Sequence, residues 1–569
     1  MPMTGTLPGL ATRVVERVQV PVRDGLELHG MLYRAATGDA RPVLLVRTPY
    51  AEPMSRSLPV LPALDAGFAV LVQDCRGTGR SDGELRTFEN ETTDGLDTLR
   101  WLRDQPWCDG RIAMFGMSYL GMVQLAVAGH RPEGLAAIAP AVTPDDYRDG
   151  LVYRQGAFQL GQGLAWHLLK AAEAIGEAAD RGEDVAARMA GLLALTRDTE
   201  AAYRALPLPD RPGITGVLPS WRTWLDKEND PAYWRDIGYA ARRAEATVPG
   251  LHVGGWFDLF LRGTLGNYVT MAAAGAAPQH LVVGPWSHAD TSGITGEVFY
   301  RGGSAQAVRL EQQQLRFLRD SVDGTPSSLP PVQIYVMGDD HWRAEQEWPL
   351  ARTDWQDWYL AADFSLGPAL AGTGTAEYRH DPNDPVPTVG GAILLAGSRD
   401  GRLGYQPGSR DQRELDGRRD ILRFTSAPLA ADLEITGPLR VRLFAATSAT
   451  DTDFTAKLVD VHPDGRAMGI ADGIVRARYC TGMDTPLPVV PGEVCEYAID
   501  LGATSQVLRA GHCLRVDIAS SNFPCFDRNP GNGTPAGQVT EADFVPATQR
   551  IFFGPGRPSS IRLPVIPRD

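Results

Sequence analysis

The feature that most constrains this chain is a series of short, almost uninterrupted apolar runs along its first half. They are VLLV (43–46), FAVLV (68–72), RIAMF (111–115), LAAIA (135–139), VPGLHVG (248–254) and LVVG (281–284). A strand with one wet face alternates polar and apolar residues. Continuous runs suit strands covered on both faces, as in a mostly parallel sheet. Helical stretches at 91–104 and 119–129 separate several of these runs. Such alternation predicts an α/β layer architecture. Upstream, Val14, Val18, Val20 and Val22 lead to Asp24-Gly25, and Leu26, Leu28, Met31 and Leu32 follow. Two strands about an Asp-Gly turn predict an antiparallel hairpin.

The texture changes twice. Between 146 and 240 the sheet pattern stops. Residues 164–205 are rich in Ala, Leu, Glu and Arg, with helical spacing at Leu164, Leu168, Leu169, Ala172 and Ile175, and a Pro- and Trp-rich piece follows. This predicts a helical insertion that caps the sheet and forms one wall of a pocket. After about 350, short strands recur between turns such as Pro463-Asp464-Gly465 and Ala510-Gly511, the texture of an all-β sandwich or jelly roll. The 569 residues suggest about three domains at roughly 100–200 residues each. The expected division is a core of 1–145 and 241–350, a cap of 146–240 and a jelly roll of 351–569. The Gly- and Pro-rich stretch 365–408 contains aromatics and aliphatics throughout and is expected to be ordered loop.

Composition narrows the partners. The net charge of −14 repels phosphate, which argues against nucleic acid. No apolar run reaches the roughly 18 residues of a membrane span, and the N-terminal residues show no secretory pattern. Six scattered cysteines without a C-x-x-C pair argue against a disulfide framework and fit a reducing, cytoplasmic setting. A monomer or homodimer acting on a small molecule is expected.

Two serines compete as a nucleophile. Gly79-Arg80-Ser81-Asp82-Gly83 matches G-x-S-x-G literally, whereas Gly116-Met117-Ser118-Tyr119-Leu120-Gly121 has its second glycine one place late. Context separates them. A nucleophile elbow needs a buried strand directly before it and a helix directly after, so that the hydroxyl stands above the sheet. Ser118 has RIAMF before it and a helical pattern after it. Ser81 lies inside a polar loop and reads as a turn serine. A serine needs a base, and the base an orienting acid, in the chain order Ser, Asp/Glu, His. Asp258 follows one apolar run in Gly254-Gly255-Trp256-Phe257-Asp258, and His288 follows the next in Gly284-Pro285-Trp286-Ser287-His288. For the oxyanion, the backbone N–H of Tyr119 is one candidate donor. The loop after VLLV offers no Gly-Gly pair, which leaves the phenol of Tyr50 as the second. No H-E-x-x-H and no helix-opening G-x-G-x-x-G is present, so neither a metal nor any other cofactor is expected.

These segments also carry a resemblance. RTPY (47–50), DCRGTGRSDGE (74–84), GMSYLG (116–121), GGWFD (254–258), VVGPWSH (282–288), DTDFTAKLVDVHPDGRA (451–467) and SSNFPCFDRNPG (520–531) resemble the CocE/NonD hydrolases, the X-Pro dipeptidyl-peptidase-like serine hydrolases. The resemblance implies an α/β-hydrolase core, a helical cap and a C-terminal jelly roll. It implies a triad of Ser118, Asp258 and His288, an oxyanion hole of Tyr50 and Tyr119, and an acyl pocket that Trp166 and Phe260 line. The expected activity is hydrolysis of a small-molecule carboxylic ester through an acyl-enzyme. X-Pro dipeptidyl-peptidase or α-amino-acid ester hydrolase activity is the alternative within the same superfamily. Glu173, Glu177, Asp180, Glu183 and Asp184 read as a solvated helix face rather than as ammonium ligands. A binding protein using its jelly roll is the alternative from another class.

Overall fold

The computed structural model describes residues 13–36, 38–50, 58–370, 372–397 and 405–568. The hairpin forms as expected: β1 (Arg13–Pro21) pairs antiparallel with β2 (Glu27–Ala35), Val18 opposite Gly30. The apolar runs become β3 (Arg41–Thr48), β4 (Ala69–Asp74), β5 (Cys108–Met117), β6 (Leu135–Ala141), β7 (Gly250–Phe257) and β8 (Gln279–Ser287). Helix α1 (Glu91–Arg103) precedes β5 and α2 (Tyr119–Ala128) follows it.

Two further strands, β9 (Val332–Val336) and β10 (His341–Glu345), complete a ten-stranded sheet of order β1-β2-β4-β3-β5-β6-β7-β8-β9-β10. Pairing is parallel from β4 through β9. The chain passes from β3 to β4 on one side, then crosses back to β5 on the other. That reversal opens a crevice beyond the C-terminal ends of β3 and β5, where open α/β sheets bind ligands. Helix α4 (Leu261–Ala274) follows β7, and α5 (Leu310–Val322) lies between β8 and β9.

The insertion lies between β6 and β7. Its principal helix is α3 (Leu160–Asp180), whose Leu164, Leu168, Ala171 and Ile175 are buried in the same apolar cluster as the sheet. Shorter helices follow at Ala186–Arg197, Thr199–Arg204, Ser220–Asp226 and Pro231–Ile237.

Beyond β10 the regular structure of the described residues is all-β apart from short 3₁₀ turns. A seven-stranded and a four-stranded sheet share one core. The first includes β11 (Leu433–Thr447) and contributes Leu443 and Tyr497; the second includes β12 (Asp453–Val461), β13 (Ala467–Arg476) and β14 (Cys513–Ala519) and contributes Phe454, Leu458 and Val516. Strand β13 stops at Arg476, and a 3₁₀ turn takes Ala477–Tyr479. Of the stretch 365–408, part forms the strand Gly374–His380, while 371 and 398–404 lie outside the described residues. No described helix is long and apolar enough to cross a membrane.

Candidate active site

Ser118 is the hinge between β5 and α2, at φ 57° and ψ −124°. A positive φ on a side-chain-bearing residue costs on the order of 1–3 kcal/mol and persists only where its surroundings fix it. Here the Ser118 N–H donates to the Ala141 carbonyl at the end of β6 (2.8 Å). The Ser118 carbonyl accepts from Gly121 (2.9 Å) and Met122 (3.0 Å). The flanking glycines make the turn sterically possible. A Cβ on Gly116 would lie 2.4 Å from Leu120 Cβ, and one on Gly121 would lie 2.3 Å from Thr143 Cγ2.

The acid and the base come from neighbouring strands. Gly284 pairs with Gly255 and Ser287 with Phe257, so β8 carries one extra residue between those pairs. This bulge re-aims the end of β8 and sets His288 beside Asp258. Asp258 Oδ1 lies 2.7 Å from His288 Nδ1, and Ser118 Oγ lies 3.0 Å from His288 Nε2. A carboxylate only accepts, so Nδ1 carries the proton and Nε2 is left to accept from the serine. Asp258 is fully buried, and its Oδ2 accepts the Phe260 N–H at 3.2 Å. The Phe260 ring stands edge-on to the imidazole, 5.2 Å between centroids. The structure therefore brings together the three residues expected to act as a relay, with Phe260 against them.

The Tyr119 N–H is the first of α2 and has no acceptor within its own helix. Its side chain points elsewhere. The phenol donates to Glu91 Oε1 at 2.7 Å, and Glu91 Oε2 pairs with the fully buried Arg47 at 2.9 Å. Burial, with Glu91 close by, holds the Tyr119 phenol well above its usual pKa. Tyr50 ends the described segment after β3, and its hydroxyl accepts from Trp166 Nε1 at 3.2 Å. Burial pushes its pKa up to about 12, against hydrogen bonds with Trp166 and Ser118. Tyr50 therefore keeps its proton at neutral pH.

Trp166 belongs to α3, and the cap reaches the sheet through this helix. The Lys170 ammonium donates to the Pro49 carbonyl, pairs with Glu173 at 2.5 Å and lies 5.6 Å from the Tyr50 ring centroid. Glu177 accepts the Gly79 N–H at 3.1 Å. This corrects the reading of the acidic residues as one solvated face. Glu173 and Glu177 turn inward to anchor the cap, while Asp180, Glu183 and Asp184 are exposed. Their spacing could not show that a lysine and a backbone amide wait on the other side.

Over Ser118 lies a cavity of about 1030 Å³. Tyr50, Trp166 and Phe260 line it, as does the first turn of α5 with the residues just before it, 305–314. Trp224, from the short cap helix Ser220–Asp226, stacks on Trp166 with 6.0 Å between centroids and completes the aromatic wall. Neither Trp224 nor the α5 segment was singled out by sequence. Trp224 was visible only as one of several cap tryptophans, and nothing in Leu310-Glu311-Gln312-Gln313-Gln314 marks a pocket wall. Ser81 is excluded as expected: its hydroxyl donates to the Asp74 carbonyl (2.8 Å) and accepts the His29 N–H (2.9 Å). Among the described residues, no cluster of metal-ligating side chains includes the relay.

The sheet order, the helical insertion and the all-β C-terminal part define an α/β-hydrolase with a cap and an appended sandwich. Residues 24–290 match the family described as X-Pro dipeptidyl-peptidase (S15 family), and 324–562 match the X-Pro dipeptidyl-peptidase C-terminal non-catalytic domain. The chain is 36% identical to cocaine esterase of Rhodococcus sp. (strain MB1 Bresler), covering 98% of this chain and 99% of that one. Among solved structures, it superposes on an aminopeptidase from the marine sediment archaeon Thaumarchaeota archaeon with a TM-score of 0.83 and 25% identity, covering 100% of this chain and 99% of that one. It superposes on an α-amino acid ester hydrolase with a TM-score of 0.79 and 25% identity, covering 99% and 100%. The chain belongs to the X-Pro dipeptidyl-peptidase (S15) family of serine hydrolases, and it is an enzyme, which bears out the resemblance read from its motifs.

Proposed function

We propose that this hydrolase cleaves carboxylic esters of small aromatic or apolar acyl groups, with Ser118, His288 and Asp258 as its triad. His288 Nε2 takes the Ser118 proton as Oγ attacks the ester carbonyl. The Tyr119 N–H and the Tyr50 O–H hold the developing oxyanion. His288 then protonates the departing alcohol, and a water activated by the same imidazole releases the acid. Asp258 keeps the ring in the one tautomer that can accept from serine. The observation that carries this reading is the 2.7 Å and 3.0 Å relay opening into an apolar, aromatic-walled cavity. Trp166 and Phe260 are assigned to the acyl-binding wall.

Amide or α-amino ester hydrolysis on the same triad is the second reading, favoured by the aminopeptidase and α-amino acid ester hydrolase among the structural relatives. Such substrates present an ammonium group that a carboxylate must hold. The cap carboxylates Glu173 and Glu177 are already engaged with Lys170 and Gly79, and the exposed Glu311 is the one carboxylate on the described cavity wall. This favours uncharged acyl groups. The working division remains a core of 1–145 and 241–350, a cap of 146–240 and a jelly roll of 351–569. Six unpaired cysteines support a cytoplasmic setting, and the assembly is assigned as monomer or homodimer.

The test is a parallel assay of a phenyl ester, an α-amino ester and an X-Pro-anilide, together with fluorophosphonate labelling. Ester turnover with label on Ser118 is the expected result. Preference for the anilide or the amino ester would move the assignment to the second reading. Absence of label and of turnover would leave a binding protein.

A further inference from the structure

The C-terminal sandwich carries a polar cluster that hydrolysis does not use. Asp460 is the penultimate residue of β12, His462 follows that strand directly, and His512 directly precedes β14. The two strands pair antiparallel with Val461 opposite Cys513 and Asp460 opposite Leu514, so the end of one and the start of the other lie side by side. Residues 50 positions apart in the chain thus converge on one carboxylate. Asp460 Oδ1 is 2.8 Å from His512 Nδ1, and Oδ2 is 3.5 Å from His462 Nε2. The two imidazole centroids are 4.3 Å apart. One ligand atom from each of the three residues fits within a mutual distance of 4.8 Å. Asp460 is buried at 7% side-chain exposure, and His512 at 13% and His462 at 23% leave one side of the cluster open to solvent.

The carboxylate takes a hydrogen bond from His512, and the same three side chains are close enough to converge on an ion. A tetrahedral Zn²⁺ with bonds of about 2.0–2.2 Å places neighbouring ligand atoms roughly 3.4 Å apart. The imidazoles face different oxygens of Asp460, at 2.8 Å (Oδ1) and 3.5 Å (Oδ2), near that value, so the carboxylate would bind through both oxygens or turn slightly to share one ion. Two imidazoles and a carboxylate also suit Zn²⁺, Ni²⁺ or Cu²⁺ rather than Mg²⁺ or Ca²⁺. We propose that Asp460, His462 and His512 form a binding site for a divalent transition metal of the Zn²⁺ type, with water completing the coordination on the open side. The ion would tie the turn after β12 to the turn before β14 and lock that end of the four-stranded sheet.

One neighbour opposes it. Arg466 Nη2 lies 3.4 Å from His462 Nδ1, while its Nε pairs with Asp464 at 2.8 Å. A guanidinium there repels a cation, and it favours the His462 tautomer in which Nε2 carries the proton. Metal binding requires the other tautomer. The site therefore contains its own restraint, and removing the restraint should be visible.

The experiment uses the full chain at pH 7.5, stripped with chelator and titrated with Zn²⁺ by calorimetry and with Co²⁺ by visible absorption. One equivalent is expected to bind and raise the unfolding temperature. His462→Gln and His512→Gln should each weaken binding at least 10-fold and remove the Co²⁺ band. Arg466→Gln should tighten it several-fold. Ester turnover should stay unchanged in all three, which separates this site from the hydrolytic one. The two histidine variants serve as independent tests, and the metal-free unfolding temperature identifies any variant that fails to fold. Absence of stoichiometric binding to the parent chain, or equal binding by both well-folded histidine variants, would overturn the proposal.

Discussion

The two sides of the candidate active site are built by different means. On one side, Ser118, Asp258 and His288 all stand at strand ends of a single sheet, and the register of β7 against β8 sets the spacing of the last two. On the other, Tyr50 comes from the loop after β3 while Trp166 and Lys170 come from α3, more than 100 residues further along the chain. The first side inherits its precision from backbone pairing. The second depends on how the cap seats itself against the loops. With the roles proposed above, Ser118, His288 and Asp258 should tolerate changes in the cap that Tyr50 does not.

The largest effect should come from the register-built side. Ser118→Ala is expected to lower kcat by about 10⁴-fold or more, and Asp258→Asn by about 10⁴-fold through loss of the correct tautomer. Ester turnover by purified variants measures both, and near-parental rates would remove the triad assignment. Tyr50→Phe, on the seated side, should cost about 10²–10³ in kcat. Because Tyr50 titrates only at about 12, that ratio should stay flat between pH 6 and 10. A ratio that changes across this range would mean that Tyr50 acts by another route.

Cap and sheet also compare in stability. His167 in the cap and His252 in the sheet are both pushed down to about 4 by burial. Each is held neutral in the folded state, whereas the unfolded chain takes up the proton near pH 6.5. Stability should therefore be complete above about pH 6.5 and decline as pH falls toward 4, by up to about 3 kcal/mol per residue. His167 packs edge-on against Trp221 and Trp224, so tryptophan fluorescence should follow loss of the cap. His167→Gln should flatten the acid limb; an unchanged limb would assign it to other groups. The smallest effect should be Lys170→Met, about a 10-fold loss of kcat with little change in KM, through a displaced Tyr50. No loss at all would mean that the cap does not position the oxyanion side.

The same contrast governs what could be read without coordinates. Ser118, Asp258 and His288 were legible because each directly follows an apolar run, and a run that becomes a strand fixes where the next residue stands. Tyr50 was legible by position, in the loop after the first such run, VLLV. The β8 bulge that brings His288 level with Asp258 was not, since Gly284-Pro285-Trp286-Ser287 contains no clear sign of an extra residue. β9, β10 and α5 also escaped. Val332-Gln333-Ile334-Tyr335-Val336 is interrupted by a glutamine, and the start of α5 reads as a polar surface. The contacts of Lys170 with Pro49 and of Glu177 with Gly79 join distant segments, and no local pattern encodes them.

Those two anchors have a bearing on traffic. Tethered by Lys170 at Pro49 and by Glu177 at Gly79, helix α3 meets an arriving molecule as a wall rather than as a swinging door. Because α3 trims one jamb of that doorway and the start of α5 the other, positions on either, apart from Trp166 and Lys170, can be recut by mutation without disturbing the turn that carries Ser118.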